Sequence, residues 1–175
     1  MSGLVHIYYG NGKGKTTAAL GLALRASGSG KKAVIVQFLK DWSSGELESL
    51  ALIPNITVLR GKASGGVFIH EMTDEQRAAT TLIHNNNLKQ ALKLQSEGTC
   101  DILVLDEVID AINLNVLDPA LINELLDSKP DGLELIITGH NPSASLLQRA
   151  DYITEMVKHK HPYDEGVTAR KGIEF

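Results

Sequence analysis

Short runs of consecutive apolar residues recur along this chain, separated by stretches where apolar residues return every three or four positions. The runs lie at 4–9, 33–39, 56–59, 101–107, 133–139 and 152–158. Ala33-Val34-Ile35-Val36-Gln37-Phe38-Leu39 is almost wholly apolar and rich in β-branched residues. That composition suits a strand buried on both faces of a parallel sheet. The helical stretches are punctuated by recognisable ends. A helix over 15–27 stops at Gly28-Ser29-Gly30, and a short one over 46–52 stops near Pro54. Thr73-Asp74-Glu75-Gln76 has the spacing of a capping box, so a long helix follows to about Gln95. Asn85-Asn86-Asn87 are poor helix formers and mark a place for a bend in it. Asp118-Pro119 reads as an N-cap with proline at the first helical position, before a helix over 120–127. A last short helix is expected over 143–149. Strands alternating with helices predict one three-layer α/β domain over residues 1–175, with a mainly parallel sheet of five or six strands.

Bulk composition narrows the setting. The 175 residues are 43% hydrophobic and 22% charged, with a net charge of −4, so no overall basic footprint calls for nucleic acid or an anionic membrane. The lone cysteine, Cys100, excludes an internal disulfide and fits a reducing compartment. No apolar run has the length of a membrane span. Met1-Ser2-Gly3 leads straight into the first predicted strand, which predicts no signal peptide and a cytoplasmic location.

The chemistry-bearing stretch is Gly10-Asn11-Gly12-Lys13-Gly14-Lys15-Thr16-Thr17, between the first strand and the first helix. Strand, glycine- and lysine-rich turn, then helix is the setting of a phosphate-binding loop. Its glycines let backbone N–H groups face an anion, and the new helix adds its unpaired amides. Lys15 would neutralise phosphate charge, and Thr16 or Thr17 would place a hydroxyl on a magnesium ion. The usual loop has five residues between its first glycine and its lysine; here four separate Gly10 from Lys15. Downstream, an apolar strand ends in Asp106-Glu107, a position that holds magnesium beside such a loop. Trp42, just past the end of the second strand, either stacks on a ligand or covers a loop. Lys158 to His161 form a locally cationic segment that either folds toward phosphate or stays solvated. ATP or GTP with magnesium follows from these features, but the reaction does not. No long Arg-rich insert supplies the lid of a kinase. A motor or switch ATPase with Glu107 positioning water stays open, as does a transferase that uses the loop to hold leaving phosphates.

The chain resembles the phosphate-loop family of ATP:corrinoid adenosyltransferases. The matching stretches begin with 10–19, Gly30-Lys31-Lys32, Val36-Gln37-Phe38-Leu39-Lys40 and Gly45-Glu46. They continue with Leu105-Asp106-Glu107, Thr138-Gly139, Lys160-His161-Pro162-Tyr163-Asp164, Gly166 and Gly172-Ile173-Glu174-Phe175. The short loop is itself a trait of that family. The resemblance implies a phosphate-loop NTPase-like (RecA-like) domain. It implies transfer of the 5′-deoxyadenosyl group of ATP to cobalt(I) of a reduced corrinoid, with release of triphosphate, in adenosylcobalamin biosynthesis or salvage. Residues 10–17 would then bind ATP, with Arg25 and Gln37 near it. Lys15, Thr16 and Glu107 would carry catalysis, and Thr16, Asp106 and Glu107 would hold Mg2+, or Mn2+ in its place. Phe68, His70, His161 and Asp164 would face the corrinoid. A homodimer and an electron-donor protein such as a flavodoxin are implied partners. The family binds ATP reversed relative to most phosphate-loop proteins, as a shortened loop would permit. Two departures stand out: Gly65-Gly66-Val67-Phe68-Ile69-His70 where relatives carry Phe-Thr-Trp, and His140 where they carry arginine after Thr-Gly. The alternative is a phosphate-loop ATPase with a regulatory or coupling role that no longer adenosylates corrinoids.

Overall fold

The computed structural model describes residues 2–61 and 69–175. Phe68, expected near the corrinoid, lies outside them.

Six strands form one sheet: β1 Val5–Tyr9, β2 Ala33–Gln37, β3 Ile56–Arg60, β4 Ile102–Asp106, β5 Glu134–Gly139 and β6 Tyr152–Glu155. The order is β3-β2-β4-β5-β1-β6, and all five pairings are parallel. Helices are α1 Lys15–Gly28, α2 Gly45–Leu50, α3 Asp74–Ser96, α4 Val108–Asn113, α5 Pro119–Ser128 and α6 Ala144–Leu147.

Successive strand residues point to opposite faces, so each apolar run feeds two cores. Ile35, Ile102, Val104 and Ile136 pack with Ala19, Ala23 and Ala26 of α1 and Leu50 of α2. Alanines at these spacings share one helical stripe, and their small side chains let α1 lie close on the sheet. Val34, Val36, Leu103, Leu105, Leu135 and Ile137 face the other way, against α3, α4, α5 and α6. Each large aliphatic side chain buried in this way stabilises the fold by about 1.5–3 kcal/mol. In an all-parallel sheet every strand ends on the same edge. Here that edge collects the 10–14 turn after β1, Lys40 beyond β2, Glu107 after β4 and His140 after β5.

Most predicted elements are present, including the Thr73–Gln76 capping box and the Asp118 cap. Three differ. The bend expected at Asn85-Asn86-Asn87 is absent, because α3 runs unbroken through it. Asn85 Oδ1 instead accepts the Asp118 N–H (3.0 Å), and Leu88 and Ala91 hold the helix on the sheet. Helix α4 was not anticipated; it is short, and its N-cap, Glu107, has left-handed backbone (φ 62°) and no side-chain cap bond. The final strand stops at Glu155 rather than at residue 158. There the chain leaves the sheet to follow the 10–14 turn: Met156 N–H bonds Tyr9 O (2.7 Å), and Gly12 N–H bonds Met156 O (2.6 Å). Among the described residues, no helix is long and apolar enough to cross a membrane.

Candidate active site

The turn after β1 is shaped by close approach. A Cβ on Gly10 or Gly12 would lie 2.5 or 2.7 Å from the Met156 carbonyl oxygen, and Gly10 and Gly14 have φ of 110° and 118°. Both conditions demand glycine. Gly14 is the N-cap of α1 and makes no side-chain cap bond, so the first amides of the helix carry no side-chain partner there. Lys15 folds back and donates to the carbonyls of Gly10 (2.7 Å) and Gly12 (3.0 Å). Burial lowers the Lys15 ammonium, against the pull of Asp110, Glu107 and Asp106.

Beside it sits a compact polar cluster. Asp106 is fully buried at the end of β4. Its Oδ1 accepts from Thr16 Oγ1 (2.9 Å) and Thr138 Oγ1 (2.8 Å), and its Oδ2 accepts from Lys40 Nζ (2.6 Å). Lys40 Nζ is also 3.4 Å from Glu107 Oε1 and 3.4 Å from Thr16 Oγ1. Glu107 N–H donates to Thr138 Oγ1 (2.8 Å), which secures the left-handed turn that starts α4. Burial raises the Glu107 carboxyl, with Lys40 opposing. For Lys40 burial works downward but is outweighed by Asp106 and Glu107, and the ammonium is raised. One hydroxyl and two carboxylates make a hard-oxygen set suited to a divalent cation of the magnesium type. Such an ion takes one or two carboxylates and completes its shell with water and phosphate oxygens. The described residues hold no cluster of three or more His, Cys, Asp or Glu side chains that would form an all-protein cage.

Lys15, Thr16, Lys40 and Glu107 border a cleft of about 890 Å³. One wall is α1, with Thr16, Thr17, Leu20, Gly21 and Leu24; another is α2, with Glu46 and Ser49; residues 172–175 of the tail form a third. His140 reaches the rim. Asp110 clamps it, accepting from its Nδ1 (3.0 Å) and its backbone N–H (3.1 Å), which leaves Nε2 as the ring's remaining polar atom. Gly139 makes this approach feasible, since a Cβ there would sit 2.6 Å from Asp110 Oδ2.

The family model for ATP:corrinoid adenosyltransferase BtuR/CobO/CobP matches residues 1–175. The chain belongs to this family. It is 32% identical to a corrinoid adenosyltransferase of Escherichia coli (strain K12) over 174 residues, covering 99% of this chain and 86% of the relative. It is equally similar to corrinoid adenosyltransferase CobA of Salmonella typhimurium (strain LT2), at 32% over the same shares. A Pseudomonas aeruginosa corrinoid adenosyltransferase is 30% identical, over 99% of this chain and 84% of its own.

Within this family member, the residues expected at the site fall into three groups. Gly12, Lys13, Gly14, Lys15, Thr16, Thr17 and Glu107 border the cleft, and Asp106 lies beneath it, bonded to Thr16. Asn11 and Lys13 also hold the tail: Asn11 Oδ1 accepts Lys158 N–H (2.9 Å), and Lys13 Nζ meets Glu174 Oε1 (3.2 Å). The tail therefore folds onto the turn through the Lys158 backbone N–H and the acidic Glu174, while the Lys158 and Lys160 ammonium groups pair with Asp164 and Glu165 within the tail. Gln37 is fully buried at the end of β2; its Nε2 is 3.5 Å from Glu46 Oε1, and its Oε1 has no hydrogen-bond partner. The third group stands apart from the cleft lining. Arg25 is exposed in the last turn of α1, about 15 Å along the helix from Lys15 at 1.5 Å per residue. His70 is exposed, 3.8 Å from Glu71. His161 caps the Pro162–Glu165 turn, accepting Tyr163 N–H (3.2 Å), and Asp164 pairs with Lys158 (2.9 Å). Trp42 is exposed, and its carbonyl accepts from Arg60 (2.8 Å).

Lys40, Thr138 and Asp110 were missed as site residues. Signals existed for the first two. Lys40 closes the family-like stretch after β2, and β2 pairs with β4 so that Gln37 stands opposite Asp106. Thr138 ends a neighbouring strand. Asp110 gave no signal, since helix α4 was itself unanticipated.

Proposed function

We propose that this cleft transfers the 5′-deoxyadenosyl group of ATP to cobalt(I) of a reduced corrinoid and releases inorganic triphosphate. The family's reaction moves the adenosyl group of ATP to a corrinoid, and the finer assignment rests on the chain's own residues. The observation that carries it is the convergence of Lys15, the α1 amides, Thr16 and Glu107 on one cleft edge, with buried Asp106 bonded to Thr16 beneath it. Such a set holds and neutralises polyphosphate. Adenosyl transfer needs little more from the protein, because cobalt(I) is already a strong nucleophile. The cobalt–carbon bond forms as the C5′–O bond breaks, and the electron pair leaves on triphosphate.

The amides of Gly12 and Gly14 and the ammonium of Lys15 bind the leaving triphosphate, which requires Lys15 to release the loop carbonyls. Charge stabilisation by preorganised donors then lowers the barrier. Thr16 Oγ1, Asp106 and Glu107 would hold Mg2+, which would supply positive charge to the leaving triphosphate. Thr138 and Asp110 orient Glu107 and His140 by the bonds described above. On this reading the chain acts as one domain, as a homodimer in the cytoplasm, with cobalt(I) supplied by a flavodoxin-type donor.

Anaerobic incubation with ATP, Mg2+ and chemically reduced cobalamin tests the proposal. The visible spectrum should show cobalt–carbon bond formation, and chromatography should find intact triphosphate. Lys15→Ala should abolish both. Release of ADP and phosphate, without the spectral change, would support the ATPase reading instead.

A further inference from the structure

The least expected group in the polar cluster is the Lys40 ammonium. Its chain direction is built deliberately. Leu39, just before it, has left-handed backbone (φ 60°), a conformation unfavourable for a non-glycine residue. That turn is secured by fully buried His84 of α3, whose Nε2 accepts the Leu39 N–H (3.2 Å). The opposite ring nitrogen, Nδ1, therefore carries the proton and donates to Val116 O (2.9 Å). Phe38 packs edge-on against the same ring, centroids 5.2 Å apart. The effect is to bring one ammonium within reach of Asp106 Oδ2, Glu107 Oε1 and Thr16 Oγ1. These are the same three residues assigned above to the metal.

We propose that Lys40 is a placeholder for the metal ion: in the nucleotide-free enzyme its ammonium neutralises the buried acids, and it leaves them when a metal–ATP complex enters. The proposal rests on the assignment of Thr16, Asp106 and Glu107 to the metal. An uncompensated buried carboxylate is strongly destabilising, so these acids need a cation whenever no metal ion is bound. A tethered ammonium meets that need and blocks a free ion from settling there. Incoming ATP changes the balance, because its phosphates offer Lys40 a second set of anionic partners. Metal and nucleotide binding are thereby coupled: each is weak alone and strong together. Lys40 is a positioning residue in this scheme, and His84 sets its reach.

Mn2+ alone is the probe, with the free ion counted by electron paramagnetic resonance, first without nucleotide and then with ATP and no corrinoid. The wild-type enzyme should bind Mn2+ weakly alone and much more tightly with ATP. Lys40→Met should bind Mn2+ alone about tenfold more tightly or better, since its competitor is gone. Its melting temperature should also rise with Mn2+ by clearly more than that of the wild type at the same concentration without nucleotide. Lys40→Gln, which keeps a hydrogen-bonding group but no charge, should behave likewise and covers the case in which Lys40→Met does not fold. If both foldable variants bind Mn2+ alone no better than wild type, while Asp106→Asn loses Mn2+ in the ATP complex, the placeholder role is refuted and the metal assignment stands. If Asp106→Asn keeps full Mn2+ binding with ATP, the metal assignment and the placeholder role fall together.

Discussion

Replacing Thr138 by valine keeps the shape of the side chain and removes its hydroxyl. In this fold that hydroxyl does two things at once: it donates to the buried Asp106 Oδ1 (2.8 Å) and accepts the Glu107 N–H (2.8 Å). Thr138 and Asp106 are both fully buried. A hydrogen bond to a charged acceptor contributes about 1.5–3 kcal/mol, and a donor left unsatisfied costs about 1–3 kcal/mol. Asp106 keeps Thr16 and Lys40, which limits the loss. Thr138→Val should therefore destabilise the fold by about 3–5 kcal/mol, a large part of a typical total of about 5–15 kcal/mol. In a chain of 175 residues that is a fall in melting temperature of about 10 °C, at about 2–4 °C per kcal/mol. Thr138→Ser keeps the hydroxyl and loses one methyl group, for about 1 kcal/mol. Thermal and urea unfolding, followed by circular dichroism, separate the two variants. A valine variant within about 1 kcal/mol of the serine variant would refute the view that this hydroxyl joins β5 to the strand end of β4. Adenosylation by Thr138→Val, assayed below its lowered melting temperature, should fall as well, because Glu107 loses the bond that secures its turn.

Burial pushes the Cys100 thiol up to about 12, and its Sγ donates to Ile102 O (3.2 Å). The folded state therefore keeps this proton where the unfolded chain, with an ordinary thiol near 9.0, has lost it. Stability should be unaffected below pH 9.0 and should fall as pH rises from there toward about 12. Cys100→Ala should remove that part of the slope, and iodoacetamide should label the native thiol only after unfolding; rapid native labelling would contradict the burial. Truncation after Lys158 keeps the Asn11–Lys158 and Gly12–Met156 bonds but deletes the 172–175 wall of the cleft and the Lys13–Glu174 pair. Far-UV circular dichroism should show the sheet retained while the KM for ATP rises about tenfold, worth about 1.4 kcal/mol of binding; unchanged kinetics would make the tail irrelevant to the site.

Much of this protein is decided locally, and so was legible in the chain. The buried strands announce themselves because a parallel sheet covered on both faces requires continuous apolar runs. Thr73, Asp118 and the glycines of the 10–14 turn are equally readable, since caps and left-handed turns depend on residues a few positions apart. Lys15, Thr16, Asp106 and Glu107 could be grouped from the sequence because the glycine turn after β1 and the acidic end of β4 fall on the same edge of a parallel sheet. What the sequence left open depends on groups far apart in the chain. Lys40 and Asp106 are brought together by the pairing of β2 with β4, and Thr138 joins them through β5. His84 sets Leu39 from a helix whose polar asparagines suggested a bend, because buried apolar contacts and a bond to Asp118 N–H outweigh a weak local preference. The strand predicted over 152–158 gives way at Met156 because the glycine turn competes for its backbone bonds. Composition and spacing thus decide which residues can form strands, caps and a tight glycine turn. Only the packed sheet decides which charges meet, because a charge pair depends on distance in space and not on separation along the chain.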